Sequence, residues 1–366
     1  MQPCPGVGTL GVAVSLPPRY VLGITPTPLM RAERLEQVLS CPRLYIKRDD
    51  LIGFALAGNK TRLLERLIAD ALAMQSTVLL TGGGPASSYC AGAAVAAASA
   101  GMGCTLVMYG EEPRPTHPNL ALARAAGARV HFTRSPLRES VDLRLLEVEA
   151  ELRRSGERPY PVPRGGATAV AALGFAHAAA ELGQQLVERG IHAATILLAS
   201  GSGVSQAGLV AGSLWRGSAW RVVGASVSRP PDEAAAQVRR LAGECAALLN
   251  LRAASLPEID IRDARGAGYG IPSQEAERMA VVALRECGLV LDPVFTAKAF
   301  VLLAEVARAS DAEATIFWHT GGIPVALDHL VRVEEAARKS GCDASPSSPD
   351  DRGHPANQPG SQEIQV

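Results

Sequence analysis

Six short β-rich runs alternate with Ala- and Leu-rich segments through this chain, and that alternation restricts its fold more than any other feature. The runs are Val78–Thr81, Cys104–Tyr109, Val130–Thr133, Thr195–Ala199, Arg221–Ser226 and Thr315–Trp318. Segments between them, such as Ser88–Ala100 and Gln206–Leu214, have helical composition. Such alternation predicts α/β layers built around parallel sheet. Glycine-rich turns follow three of the runs, at Gly82–Gly84, Gly201–Gly203 and Gly321–Gly322. In folds of this kind a ligand sits at the carboxyl ends of the strands, where those turns lie. With 366 residues, 47% of them hydrophobic, the chain can bury one large or two medium cores.

Lys60 is the residue with the most chemistry to explain. Asn59 is placed as a helix N-cap, because Lys60 opens a stretch with Leu64, Leu67, Ile68 and Ala71 at helical spacing. That register turns Lys60 inward with the apolar residues. A buried ammonium is costly unless it is paired, neutralised or used covalently. Desolvation lowers a lysine's pKa, and the neutral amine can add to an aldehyde. The other reading is a lysine whose stem lies along the core while its head reaches water.

The residues around Lys60 resemble a known motif. Ile46-Lys-Arg-Asp-Asp50 followed by Gly58-Asn-Lys-Thr-Arg62 is similar to the pyridoxal-phosphate (PLP) lysine motif of the D-cysteine desulfhydrase and 1-aminocyclopropane-1-carboxylate (ACC) deaminase family. The resemblance continues in order through Thr25-Pro-Thr-Pro-Leu29, Gly83-Gly-Pro-Ala-Ser87, His117-Pro-Asn-Leu120 and Tyr160-Pro-Val-Pro-Arg-Gly-Gly166. It resumes at Ser202-Gly-Val-Ser-Gln-Ala-Gly208, Asp292-Pro-Val-Phe-Thr-Ala-Lys298 and His319-Thr-Gly-Gly322. The resemblance implies a tryptophan-synthase-β-like fold (PLP fold type II) of two three-layer α/β domains with largely parallel sheets. The small domain is expected at 58–164, inserted into a large PLP-binding domain made of 1–57 and 165–338.

The same resemblance implies the site. PLP needs a lysine, a phosphate cup, a partner for its pyridine nitrogen and a dock for the substrate carboxylate. Lys60 is the expected lysine and base for the Cα proton, with Asn59 beside it. The expected cup is the turn Gly201, Ser202, Gly203, Val204 and Ser205, whose N–H groups and helix dipole suit an anion. Thr296 matches the position facing the pyridine nitrogen, and Tyr269 a catalytic tyrosine. Ser87 is expected to handle substrate, with Ser88, Tyr89 and Phe295 lining the dock and Ser88 also near the cofactor.

Three departures from the family, and one position at which its members differ, bear on cofactor and substrate. Leu63 stands where a second, phosphate-facing lysine is common. Ala86, Ser88 and Tyr89 replace the usual glutamine, asparagine and a final glutamine or histidine. Phe295 replaces a tyrosine, and Thr296 offers a hydroxyl where ACC deaminases place a carboxylate. Together these predict a lyase acting by β-elimination on a small amino acid with a β-leaving group, giving pyruvate and ammonia. A β-replacement synthase and a PLP-binding protein without turnover are the alternatives.

Composition excludes several other classes. Lys plus Arg and Asp plus Glu stand at 36 each, so no global field recruits nucleic acid or anionic lipid. Seven scattered cysteines without a C-x-x-C pair predict free thiols in a reducing, cytoplasmic setting. The histidines lack metal spacing, so no metal site is expected. The mildly apolar run Val7–Leu16 has no preceding basic residue and does not read as a signal peptide. No apolar stretch is long enough to span a bilayer. The polar tail from Lys339 reads as disordered, and the family implies a homodimer.

Overall fold

A computed structural model describes residues 18–339. The run Val7–Leu16, the tail beyond Lys339, Cys4 and Cys342 lie outside the described residues. The strands are β1 (Leu29–Arg31), β2 (Leu44–Arg48), β3 (Val78–Gly83), β4 (Gly103–Met108) and β5 (Arg129–Phe132), then β6 (Pro159–Pro161), β7 (Ala193–Ser200), β8 (Ala219–Ser226), β9 (Asp260–Asp263) and β10 (Ala314–His319). The helices begin with α1 (Glu33–Leu39), α2 (Lys60–Ala73), α3 (Ser88–Ser99), α4 (Pro118–Ala125), α5 (Ser140–Arg154) and α6 (Ala169–Val187). They continue with α7 (Val204–Arg216), α8 (Pro231–Leu248), α9 (Gln274–Cys287), α10 (Thr296–Val301), α11 (Leu303–Arg308) and α12 (Ile323–Lys339).

Two sheets result. The larger runs β1-β2-β10-β7-β8-β9, antiparallel only between β1 and β2. The smaller runs β5-β4-β3-β6 and is parallel throughout. Each of the six runs expected from sequence is a strand. The four strands without a sequence signal have physical reasons to be silent. Three of them span only three or four residues, and β2 carries Lys47 and Arg48 where an apolar run would be sought. Both sheets and the helices between them lie within one compact unit that ends at His329.

Helix α6 packs unusually close to its neighbours because its contacts are small residues. A Cβ on Gly174 would strike the backbone oxygen of Arg62 in α2, and one on Gly208 of α7 would strike that of Ala172. This proximity brings α2 and α6 together around a buried cluster of charges. Arg62 donates from Nε to Asp49 Oδ2 at 2.8 Å, and from Nη2 to Asp49 Oδ1 at 2.8 Å. The same guanidinium reaches Glu181 at 2.9 and 3.0 Å. Lys47 also pairs with Glu181 and donates to the Thr27 carbonyl at 2.7 Å. Trp318 Nε1 and Thr27 Oγ1 complete the shell of Asp49 at 2.8 and 2.9 Å.

Two cations and two carboxylates thus cancel inside the protein. Their side chains are no more than 11% exposed. Burial pushes the Lys47 amine down, partly offset by Glu181 and Asp49. Burial would raise the Glu181 carboxyl, yet Arg62 and Lys47 hold it at about 2. The cluster ties the first turn of α2 to β2, β10 and α6.

Removing one member of such a cluster strands the others without compensation. Arg62→Met should therefore cost about 3–5 kcal/mol in chemical denaturation, and an unchanged midpoint would show the cluster to be energetically idle. The depressed pKa of Glu181, about 2 against an ordinary 4.5, gives a pH signature. Its stabilising contribution is complete above pH 4.5 and is lost as pH falls toward 2. Wild type should lose its advantage over Glu181→Gln across that window in acid titrations, and a gap independent of pH would contradict this.

Candidate active site

The chain has four lysines, Lys47, Lys60, Lys298 and Lys339. Lys47 is locked in the ion cluster. Lys298 is buried and donates to the carbonyls of Arg265 and Gly268 at 2.7 and 2.8 Å, and Lys339 ends α12. Lys60 opens α2, two residues before Arg62, and the residue is only partly buried. Protein nevertheless surrounds the amine closely, and desolvation lowers its pKa to about 8, against the pull of Asp292 and Asp49.

Asn59 occupies the N-cap position, as its sequence context predicts, but it does not cap. Its backbone is helical and its side chain makes no capping bond. Instead Asn59 Oδ1 accepts from Lys60 Nζ at 2.8 Å, and its Nδ2 donates to Ser205 Oγ at 3.0 Å. One amide thereby bridges the lysine and the turn after β7. Gly58 makes this possible, because a Cβ there would collide with the Thr320 carbonyl and with Gly321. The glycines let the start of α2 close against the turn after β10, where Asn59 N–H donates to Thr320 O at 3.0 Å.

The turn Gly201–Ser205 joins β7 to α7. The helix begins at Val204, two residues before the start expected near Gln206. Gly203 turns the chain early, in a left-handed conformation (φ +86°) that side chains disfavour. No side chain caps α7, so its first-turn N–H groups are available to an anion. Leu63 lies behind this turn. It is 1% exposed and packs under Gly166, while the adjacent Gly165 abuts Ser202.

Ser87 caps α3, its Oγ accepting from the Cys90 N–H at 3.2 Å. Asn119 braces the same turn, donating to the Ala86 carbonyl at 2.8 Å and to Ser88 Oγ at 3.2 Å. This explains the His117-Pro-Asn-Leu120 motif, in which His117 Nδ1 caps α4 by accepting from Asn119 N–H. Tyr89, expected in the substrate dock, is 2% exposed and its hydroxyl is shared with Thr81 at 3.1 Å. It offers the cleft no free polar group.

Thr296 is more constrained than its sequence context suggests. Its hydroxyl donates to Asp292 Oδ2 at 2.7 Å and accepts the Asp292 N–H at 2.7 Å. Asp292 in turn accepts the N–H groups of Val294, Phe295 and Thr296 at 3.0, 2.8 and 3.0 Å. Asp292 is a functional candidate that sequence reasoning left without a role, although it opens a quoted motif. Phe295 meets Tyr269 edge to face, with centroids 5.9 Å apart, and limits the space above Gly201. Burial pushes the Tyr269 phenol up to about 12. Lys298 holds the loop that carries Tyr269. His319 is fully buried and burial lowers its pKa, so it is neutral at physiological pH. Its Nδ1 accepts from Gly321 N–H at 3.2 Å, and its Nε2 has no hydrogen-bond partner.

A cavity of about 610 Å³ lies elsewhere, lined by Trp220, Arg221, Asp260 and Arg262 at the β8–β9 edge. None of the residues above lines it. Among the described residues no group of His, Cys, Asp and Glu could hold a metal ion. No described helix is long and apolar enough to cross a membrane.

Residues 20–321 match the family model described as pyridoxal-phosphate dependent enzyme. A 1-aminocyclopropane-1-carboxylate deaminase of Burkholderia ambifaria (strain MC40-6) is 33% identical, over 84% of this chain and 95% of its own. The crystal structure of an ACC deaminase homologue superposes with a TM-score of 0.79 at 29% identity, covering 87% of this chain and 96% of that one. An L-serine ammonia-lyase from Rhizomucor miehei shares the fold alone, with a TM-score of 0.61 at 16% identity over 86% of this chain and 98% of its own.

An amine titrating near 8 reacts at pH values where an ordinary lysine is protonated. In competitive trace labelling of the cofactor-free protein, Lys60 should acquire label with a midpoint near pH 8. A midpoint near the ordinary lysine value of 10.5 would show that the pocket does not perturb it.

Proposed function

The chain belongs to the pyridoxal-phosphate dependent enzyme family, and from that membership we propose a lyase that removes a β-leaving group from a small amino acid, giving pyruvate and ammonia. When bound, PLP supplies an aldehyde for a lysine and a ring that stabilises negative charge at the substrate Cα. The residues present suit that group. The amine with a pKa of about 8 belongs to Lys60, an uncapped helix terminus lies at Gly201–Ser205, and Asn59 links the two. Lys60 would hold the aldehyde carbon, the turn its phosphate, and Thr296 would face the pyridine nitrogen.

The chain's own groups then divide the work. Lys60, already about a tenth neutral near pH 7 with a pKa of about 8, takes the Cα proton when its amine is free. Asn59 aims that amine through the 2.8 Å bond. The first N–H groups of α3, beside Ser87, receive the substrate carboxylate. Tyr269 and Phe295 wall the opposite side and keep water from the reacting carbon.

One observation favours elimination. The Thr296 hydroxyl is committed to Asp292, so it offers the pyridine nitrogen no strong proton donor. Elimination asks less of the ring, because loss of the leaving group relieves the charge on Cα at once. Phe295 also lacks the hydroxyl that the resemblance implies for opening the ACC ring. The names of the relatives favour ACC deamination as a second reading. The proposal further takes 58–164 as the small domain, a cytoplasmic homodimer as the assembly, and D-cysteine or β-chloroalanine as representative substrates.

Product analysis separates the readings. The holoenzyme should release pyruvate from a β-substituted alanine and no 2-oxobutyrate from ACC. Faster turnover of ACC than of every β-substituted alanine would overturn the proposal in favour of deamination.

A further inference from the structure

Two arginines beside the site stand outside the ion pairs of the described residues. Arg138, in the segment between β5 and α5, lies with its guanidinium carbon 4.2 Å from the centre of the Tyr269 ring. It makes no ion pair among the described residues. Arg229, just after β8, donates from Nη1 to the Gly201 carbonyl at 2.6 Å and likewise makes no ion pair among them. Arg164 stands near both but is paired with Asp142 at 2.7 and 2.8 Å. Burial lowers the Arg229 pKa, and Arg138 and Arg164 lower it further, with only partial offset from Glu233 and Asp142.

Such an arrangement is unfavourable by itself. Like charges held together beside a half-buried site repel, and a bound anion would relieve them. Stacking fixes the plane of the Arg138 guanidinium on the Tyr269 face and leaves its N–H edge free for a bidentate oxyanion. Tyr269 in turn meets Phe295 of the expected substrate dock edge to face, which sets Arg138 beside that dock. The Arg138 charge acts on Tyr109, whose hydroxyl would lie 2.7 Å from a Cβ on Gly84, in the turn that leads to Ser87. The cofactor's phosphate is expected at Gly201–Ser205, the turn that Arg229 holds through the Gly201 carbonyl, which leaves Arg138 as the arginine on the substrate side.

We propose that Arg138 determines specificity by binding a strongly acidic group on the β-substituent of the amino acid, a phosphate or a sulfonate. The inference rests on the lyase reading and names its substrate class. For O-phosphoserine, the Cα–H bond breaks with its proton passing to Lys60, and the Cβ–O bond breaks with its electron pair leaving on phosphate. The resulting aminoacrylate takes up water to give pyruvate and ammonium. For cysteate the Cβ–S bond breaks instead and sulfite carries away the pair. Neither route needs an oxidant or reductant.

The test compares O-phosphoserine, cysteate and β-chloroalanine, each as both enantiomers, on the holoenzyme and on Arg138→Ala and Arg138→Lys. Spectral titration of the bound cofactor measures affinity alongside kcat and KM. The expected result is that Arg138→Ala raises KM and Kd for the acidic compounds by roughly ten- to a hundredfold more than for β-chloroalanine, with partial recovery in Arg138→Lys. KM for the acidic compounds should also climb with ionic strength. Equal losses for acidic and neutral compounds would overturn the inference. So would turnover of β-chloroalanine with no binding of either acid, which leaves the lyase reading standing. Acid binding weakened by Arg138→Ala without any turnover would keep the inference and sink the lyase reading, while absence of all binding would sink both. Loss of PLP in Arg138→Ala, relieved equally for all compounds by added cofactor, would assign the arginines to the cofactor phosphate instead.

Discussion

The charge cluster of Arg62, Asp49, Glu181 and Lys47 is the constraint on which the rest of the site depends. Lys60 precedes Arg62 by two residues on one helical turn. Wherever the Arg62 fork is fixed, the backbone from which Lys60 projects is fixed with it, and Asn59 then holds the amine. The cluster makes specific demands on geometry, because Asp49 must meet Arg62 and the Trp318 and Thr27 donors while Glu181 meets both Arg62 and Lys47. A well-packed apolar replacement could be equally stable. It would not hold α2 in one rotational setting.

Around that anchor, the site is assembled from the turns that follow parallel strands. The turn after β7 supplies an uncapped helix terminus, the turn after β10 receives Gly58, and the segment after β3 leads into the cap at Ser87. Asn59 couples the first two, so the lysine and the anion-binding turn move as one unit. Asp292 plays the corresponding part across the cleft. It satisfies three backbone N–H groups and the Thr296 hydroxyl, and it is the first acid to act on Lys60. Replacing Thr296 by a carboxylate would bring two acids into contact, which ties the hydroxyl at 296 to the acid at 292.

What could be read in the sequence follows from which physical signals are local. Apolar strands and the glycine turns behind them announce themselves within a few residues, and Lys60 stands out because its helical register buries it. Strand β2 is silent because Lys47 interrupts its apolar pattern, and the partners of Lys47, Glu181 and Gln185, come from α6. The side chain of Asn59 is misjudged for the same reason, since its real partner Ser205 is 146 positions away. Tyr89 looks like a substrate contact by alignment, but its hydroxyl is consumed by Thr81 on β3. Nothing in the local sequence distinguishes Arg138 from a surface arginine. Only the approach of Tyr269 from a distant loop gives it meaning.

The central claim is that Lys60, and no other lysine, carries the cofactor. Borohydride reduction of the holoenzyme followed by peptide mapping tests it directly, because the four lysines fall in widely separated peptides. The account predicts one pyridoxyl group on Lys60 and loss of the visible absorbance in Lys60→Ala. Stable modification of Lys47, Lys298 or Lys339 with Lys60 unmodified would contradict it.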